Sequence, residues 1–246
     1  MAALTIKPEE LAALANHYNT KDFISSDPVQ FPHRYQEKKD IEVSAFLTAW
    51  ISWGNRRQII RTAEKMDTEI FRGTPFAYLM GKEWEQYKGD SRCFYRTVRY
   101  ADFYDIMERL YSVYQSFDDL EACVFHYVGK GMNAAEAISL QFQGIAGIAD
   151  ARKTSPCKRL WFFLRWMVRR DGIVDLGIWR KLSEKDLLIP LDTHVHHVAL
   201  HMGITQRRSA DIRTAREITS FFTGIFPDDP ALGDFALFAY GIEHGI

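Results

Sequence analysis

The sequence predicts an all-α fold. Apolar residues recur at helical spacing from end to end, and recognisable start and stop signals bracket those stretches. No convincing alternating strands flank an Asn-Gly or Asp-Gly turn. With 246 residues, 47% of them hydrophobic, the chain can bury a substantial core as one helical unit over residues 1–246.

Pro8-Glu9-Glu10 opens a first helix that runs to about Tyr18, with Leu11, Leu14 and Ala15 on one face. Asp27-Pro28, Phe31-Pro32 and the charged run from Gln36 to Asp40 read as loop. Ile41 to Trp53 is so apolar that burial is expected, and Gly54 ends it. Asn55-Arg56-Arg57 leads into a helix carrying Ile59, Ile60, Ala63, Met66 and Ile70, stopped by Gly73-Thr74-Pro75. A short helix follows from about Phe76, and Gly81 to Arg99 reads as loop with helical fragments. Tyr100 to Tyr114, Leu120 to Gly129 and Asn133 to Phe142 are three more helices, the second capped by Asp118 or Asp119 and the third by Asn133. Gly144, Gly147 and the stretch from Ala149 to Pro156 form a boundary, giving candidate lobes 1–143 and 144–246.

Composition narrows the function classes. The N-terminal MAALTIKPEELAALANHYN has no basic segment before an apolar run, and no apolar stretch approaches the roughly 20 residues that span a bilayer. A cytoplasmic protein without a membrane partner is expected. Cys93, Cys123 and Cys157 are odd in number and widely spaced, which supports neither a disulfide framework nor a cysteine-rich metal site. Net charge is −1, but Arg152 to Lys181 holds nine basic residues against two acidic ones, so a local anion-binding surface remains open. Asn55, Arg56 and Arg57 are a second candidate phosphate contact.

Two helix starts carry candidate chemistry. In Ile189-Pro190-Leu191-Asp192-Thr193-His194-Val195, Pro190 sets an extended approach and Asp192 caps a helix with Val195, Val198, Ala199 and Met202 on its apolar stripe, stopped by Gly203. In Ser155-Pro156-Cys157-Lys158, Ser155 reads as N-cap and Pro156 as the first helical residue, which places Lys158 at the third position. An ammonium there opposes the helix dipole, so a depressed pKa and a nucleophilic neutral amine are expected. The following Leu160-Trp161-Phe162-Phe163-Leu164 run is apolar enough to cross the protein's middle.

The segment around Asp192 resembles the Pro-Val-Asp-Thr-His-Val segment of the helix-hairpin-helix DNA glycosylase superfamily, in which the matching Asp is the catalytic carboxylate. Lys158 and Asp192 are 34 residues apart, an interval similar to that of the archaeal 8-oxoguanine glycosylase branch. That resemblance covers about residues 155 to 245. The segments Cys157-Lys158-Arg159-Leu160, Asp175-Leu176-Gly177 and Asp234-Phe235-Ala236-Leu237-Phe238 also resemble a bacterial family of unknown function, over most of the chain.

The glycosylase resemblance implies a two-lobed helical fold with a cleft between the lobes. It implies base excision from damaged double-stranded DNA by a monomer, with the flipped base an oxidised purine, and lyase activity through a Lys158 Schiff base. Trp161 and Phe162 become candidate walls of the base pocket, and His194 a substrate-facing residue. The superfamily's Leu-x-Gly-x-Gly phosphate-binding hairpin is missing before Lys158, so either the hairpin is remodelled or phosphate binding has moved, with Arg165, Arg169 and Arg170 as candidates to take it over. The helix from Phe235 to Gly241 resembles one that precedes a four-cysteine loop; that loop is absent from the sequence, and no iron–sulfur cluster or other cofactor is expected. Two alternatives stand beside this reading: a catalytically silent nucleic-acid-binding or scaffold protein of the same fold, and a metal-dependent hydrolase using His194, His197 and His201, which share one helical face.

Overall fold

The structure, a computed structural model, describes residues 6–246. It is mainly helical and divides into two compact units, one from Ser26 to Asp150 and the other made of the chain up to Ser25 together with Ala151–Ile246. The expected lobes 1–143 and 144–246 are therefore corrected. The first helix, α1 (Pro8–Tyr18), belongs with the C-terminal half, because its apolar face packs on the last helix of the chain. Such a docking leaves no mark in the local pattern. A short α2 (Lys21–Ser26) follows, and its Phe23 stands edge-on to Phe235 and Phe238 at 5.3 and 5.4 Å.

The unit from Ser26 to Asp150 is built around α3 (Lys38–Trp50), which is buried without interruption from Ile41 onward. The charged Lys38-Lys39-Asp40 stretch, expected as loop, is its first turn. Glu42 is buried on α3, where burial raises its carboxyl pKa despite the Leu120 N–H and Tyr114 hydroxyl that donate to it at 3.0 and 2.8 Å. It thereby serves the start of the helix that begins at Leu120. After α4 (Arg56–Lys65), capped by Asn55, a π-helical turn Met66–Ile70 carries Asp67, which accepts from Arg34 and Tyr35. Then come α5 (Pro75–Met80), a 3-10 turn Glu83–Tyr87, and an antiparallel hairpin of β1 (Cys93–Tyr95) and β2 (Val98–Arg99). Strands of three and two residues are too short to show alternation, which is why the hairpin was not legible. The unit closes with α6 (Tyr100–Ser116), α7 (Leu120–Val128), capped by Asp119, and α8 (Ala134–Gln141), capped by Asn133.

In the other unit α9 (Lys158–Val168) is the central helix. Leu160, Trp161, Phe163, Leu164, Trp166, Met167 and Val168 are all buried, each worth roughly 1.5–3 kcal/mol by removal from water. Its C-terminal carbonyls are taken by the chain doubling back: Leu176 and Gly177 donate to the Trp166 carbonyl and Trp179 to that of Met167. Gly177 makes this possible. Its φ is +57°, and a Cβ there would stand 2.7 Å from the Arg169 carbonyl oxygen. Helices α10 (Thr193–His201), α11 (Ile212–Thr223) and α12 (Gly233–His244) complete the unit, with α12 packed on both α1 and α10. Pattern reading had left α11 unassigned. No helix of the described residues is long and apolar enough to cross a membrane.

Candidate active site

Lys158 begins α9 rather than sitting one turn inside it. Cys157 adopts a left-handed backbone (φ 47°, ψ 41°), which ends the upstream turn and makes Lys158 the first helical residue. Ser155 does not cap the helix; its hydroxyl accepts the Cys157 N–H at 3.3 Å and so stabilises the turn before it. Asp192 is the N-cap of α10 as expected, with Oδ1 accepting the Val195 N–H at 2.7 Å. Its other oxygen, Oδ2, lies 3.1 Å from Lys158 Nζ. The two side chains keep 27% and 28% of their surface exposed, so the pair is open to a ligand. One carboxylate thus holds a helix start with one oxygen and faces an amine with the other.

Phe162 lies one turn along α9 from Lys158 and is half-buried. The Lys158 ammonium sits 5.0 Å from its ring centroid, and the Arg165 guanidinium lies 5.6 Å from the same ring. Behind the pair is Asp234, at the start of α12. Burial pushes its carboxyl up to about 6, Arg165 opposes the shift, and the Asp192 charge adds to it. Nothing in the local sequence marks Asp234 out, since an acid in the first turn of a helix reads as ordinary dipole compensation.

Arg165 and Arg169 are placed differently from the expectation that they hold phosphate. Arg165 pairs with Asp234 and, at 3.3 Å, with Asp175. Arg169 reaches Asp171 at 2.6 Å, Asp229 at 2.8 Å and Asp175 at 2.9 Å, while Asn19 at the end of α1 donates to Asp171 at 2.6 Å. Their side chains are 3% and 1% exposed. Burial works against the charge on Arg169, and Asp175, Asp229 and Asp171 outweigh it, holding its pKa above the usual arginine value. Both guanidiniums flank the buried Phe235 ring, at 4.7 and 5.3 Å. This is an interior ion network, fixed by Asp171 and Asp175 just beyond α9 and by Asp229 and Asp234 from far along the chain. Arg170 is exposed but is also engaged, donating to the Leu182 carbonyl at 3.0 Å.

Of the other candidates, Trp161 is 2% exposed and its indole N–H has no hydrogen-bond partner among the described residues. It is a core residue, and Phe162 alone of the two borders the lysine. His194 packs on α12: a Cβ at Gly241 would come within 2.4 Å of its ring, and Phe238 lies edge-on at 6.4 Å. Trp50, Tyr95, Tyr104 and Trp166 are buried, as core aromatics should be. His197 and His201 are exposed, and among the described residues no three His, Cys, Asp or Glu side chains are grouped to hold a metal ion.

A mainly helical chain thus brings a lysine and an aspartate together from two helix starts. The chain belongs to the family described as "Protein of unknown function (DUF2400)", whose model matches residues 27–243. No curated protein and no solved structure matches it.

Proposed function

We propose that this protein excises a damaged base from double-stranded DNA, with Lys158 as nucleophile and Asp192 as its carboxylate partner. The observation that carries the reading is the 3.1 Å approach of Lys158 Nζ to Asp192 Oδ2, two residues 34 apart in sequence, beside the open edge of Phe162. Asp192 is in reach to take the ammonium proton. The freed amine attacks C1′, the glycosidic bond breaks with its electron pair passing to the base, and Asp192 hands the proton it took from Lys158 to the departing base. The C1′ ammonium adduct then opens to a Schiff base as the C1′–O4′ bond breaks and a proton passes from the nitrogen to O4′, while the regenerated Asp192 carboxylate steadies the positive charge. Phe162, half-buried beside the pair with the Lys158 and Arg165 cations over its ring, supplies an apolar wall to the space an extruded base would enter. The two helical units accord with the two-lobed body of helix-hairpin-helix glycosylases, and an oxidised purine is the first lesion to test.

Borohydride trapping on duplexes bearing an abasic site or 8-oxoguanine tests this. Wild type should form a covalent adduct and Lys158→Ala none; no adduct with wild type, or an undiminished one with Lys158→Ala, refutes the assignment. A second reading draws on the same ion pair. A partly exposed lysine–aspartate bridge that ties α9 to α10 is also a plain strut, and a nucleic-acid-binding or scaffold protein of this fold needs nothing more from it.

A further inference from the structure

The unit from Ser26 to Asp150 carries a cluster of arginines without acidic partners among the described residues. Arg57, Arg61 and Lys65 are spaced four apart on α4 and form one exposed stripe, opposite the buried Ile59 and Ala63. Two side-chain contacts tie the hairpin and its flank to the ends of this helix. At one end the guanidinium of Arg96, at the hairpin tip, is 4.5 Å from the Trp53 ring and fills the place where a side chain at Gly54 would stand. At the other end Lys65 Nζ is 2.8 Å from the Tyr100 hydroxyl, just after β2. Arg99, on β2, adds a further exposed cation.

Neighbouring acids are already taken. Glu64 and Asp67 pair with Arg34, Asp90 with Arg92, and Asp27 with Arg56. Glu69 stands one turn beyond Lys65, and it is the acid whose charge Lys65 senses. Among the described residues, Arg57, Arg61, Arg96 and Arg99 are thus left exposed with no carboxylate within ion-pair distance. Exposed like charges held this close repel one another, so the arrangement is least costly with an anion bound.

We propose that this α4–hairpin face binds the phosphate backbone of duplex DNA. The stripe from Arg57 to Lys65 is about 12 Å long at 1.5 Å per residue, and a strand presents one phosphate per roughly 3.4 Å of axis, so the band spans about three phosphates. Guanidinium forks suit phosphate oxygens. The aromatic faces are covered rather than bare: Trp53 lies under Arg96, and Tyr100 under Lys65 and Arg92. A single strand gains from stacking on open rings, whereas this face offers charge alone, which favours a duplex. The proposal rests on DNA being the substrate, but not on the Lys158 chemistry.

Fluorescence anisotropy with an undamaged duplex over a salt series tests it, using the full chain. Arg57→Ala/Arg61→Ala/Arg96→Ala should weaken binding about tenfold or more at low salt and reduce the salt slope by about 3, roughly one per lost phosphate contact. Arg57→Lys/Arg61→Lys/Arg96→Lys, which keeps the charge, should retain most of the slope, and unchanged thermal melts show that both variants fold. An unaltered affinity and slope in the alanine variant, no duplex binding by wild type, tighter binding of single-stranded DNA, or equal binding of polyglutamate would each overturn it. Duplex binding without a borohydride adduct removes the excision chemistry and leaves this surface standing; an adduct with unaltered binding in the alanine variant does the reverse.

Discussion

Replacing Arg169 with Met separates two accounts of the basic helix. A phosphate-binding arginine can be lost with little effect on folding, whereas a buried one cannot. Arg169 is 1% exposed and contacts Asp171, Asp175 and Asp229. Arg169→Met keeps most of the side-chain volume but leaves three carboxylates short of their cation; Asp175 retains only Arg165, at 3.3 Å. Removing one partner from a buried ion pair costs about 3–5 kcal/mol, a large part of a typical total stability of about 5–15 kcal/mol. At about 2–4 °C per kcal/mol for a chain of this size, the melting temperature should fall by roughly 6–20 °C near pH 7.5.

The loss should also depend on pH. Burial already lifts Asp229 to about 6, and Arg169 is the main influence holding it down. Without Arg169 the folded-state pKa rises further. A carboxyl whose pKa is raised on folding stabilises the fold below its unfolded value of 3.8, and that contribution is lost as pH rises through the folded value. The gap between variant and wild type should therefore narrow from pH 8 to pH 5. Thermal melts followed by circular dichroism across that range measure it. A drop under about 2 °C at pH 7.5, or a gap independent of pH, would refute the interior network as the role of Arg169.

Asp192→Asn keeps an oxygen for the Val195 N–H and should melt within about 1 kcal/mol of wild type, yet trap far less DNA, whereas Asp192→Ala should lose about 1 kcal/mol more through the cap; equal trapping by Asn and wild type would show that the charge is dispensable. Gly241→Ala drives a Cβ to within 2.4 Å of the His194 ring and should destabilise by about 1–3 kcal/mol, with His194→Ala in the same chain recovering part of the loss; urea unfolding of the single and double variants checks this. Asp234→Asn removes a carboxyl lifted to about 6 from 3.8, so the fall in wild-type stability as pH rises across that window should flatten in the variant, and a pH series of melts with the same slope for both would contradict that placement.

Much of the fold was legible because its signals are local. The apolar stripe and Pro8 give α1 to the residue, Asp119 and Asn133 cap α7 and α8, and Asp192 caps α10. Other features were hidden by local ambiguity. Lys38 to Asp40 looks like loop because the first turn of α3 faces water, and the Ser155-Pro156 start is overridden by the left-handed Cys157. Neither composition nor spacing shows that backbone twist.

By itself the sequence determined most of the longer helices, α11 and the first turn of α3 excepted, that Asp192 begins one of them, and that Lys158 stands near the start of another. Those properties follow from backbone preferences and periodicity within a few turns. Only the tertiary structure decided that the two meet at 3.1 Å, that α1 joins the C-terminal half, and that Arg165 and Arg169 turn inward while Arg57, Arg61 and Arg96 stay outside. The physical reason is that an arginine's fate depends on the carboxylates brought to it. Asp229 and Asp234 reach Arg169 and Arg165 through long-range packing, Asp175 through the chain doubling back after α9, while Glu64, Asp67, Asp27 and Asp90 near α4 are engaged by other arginines.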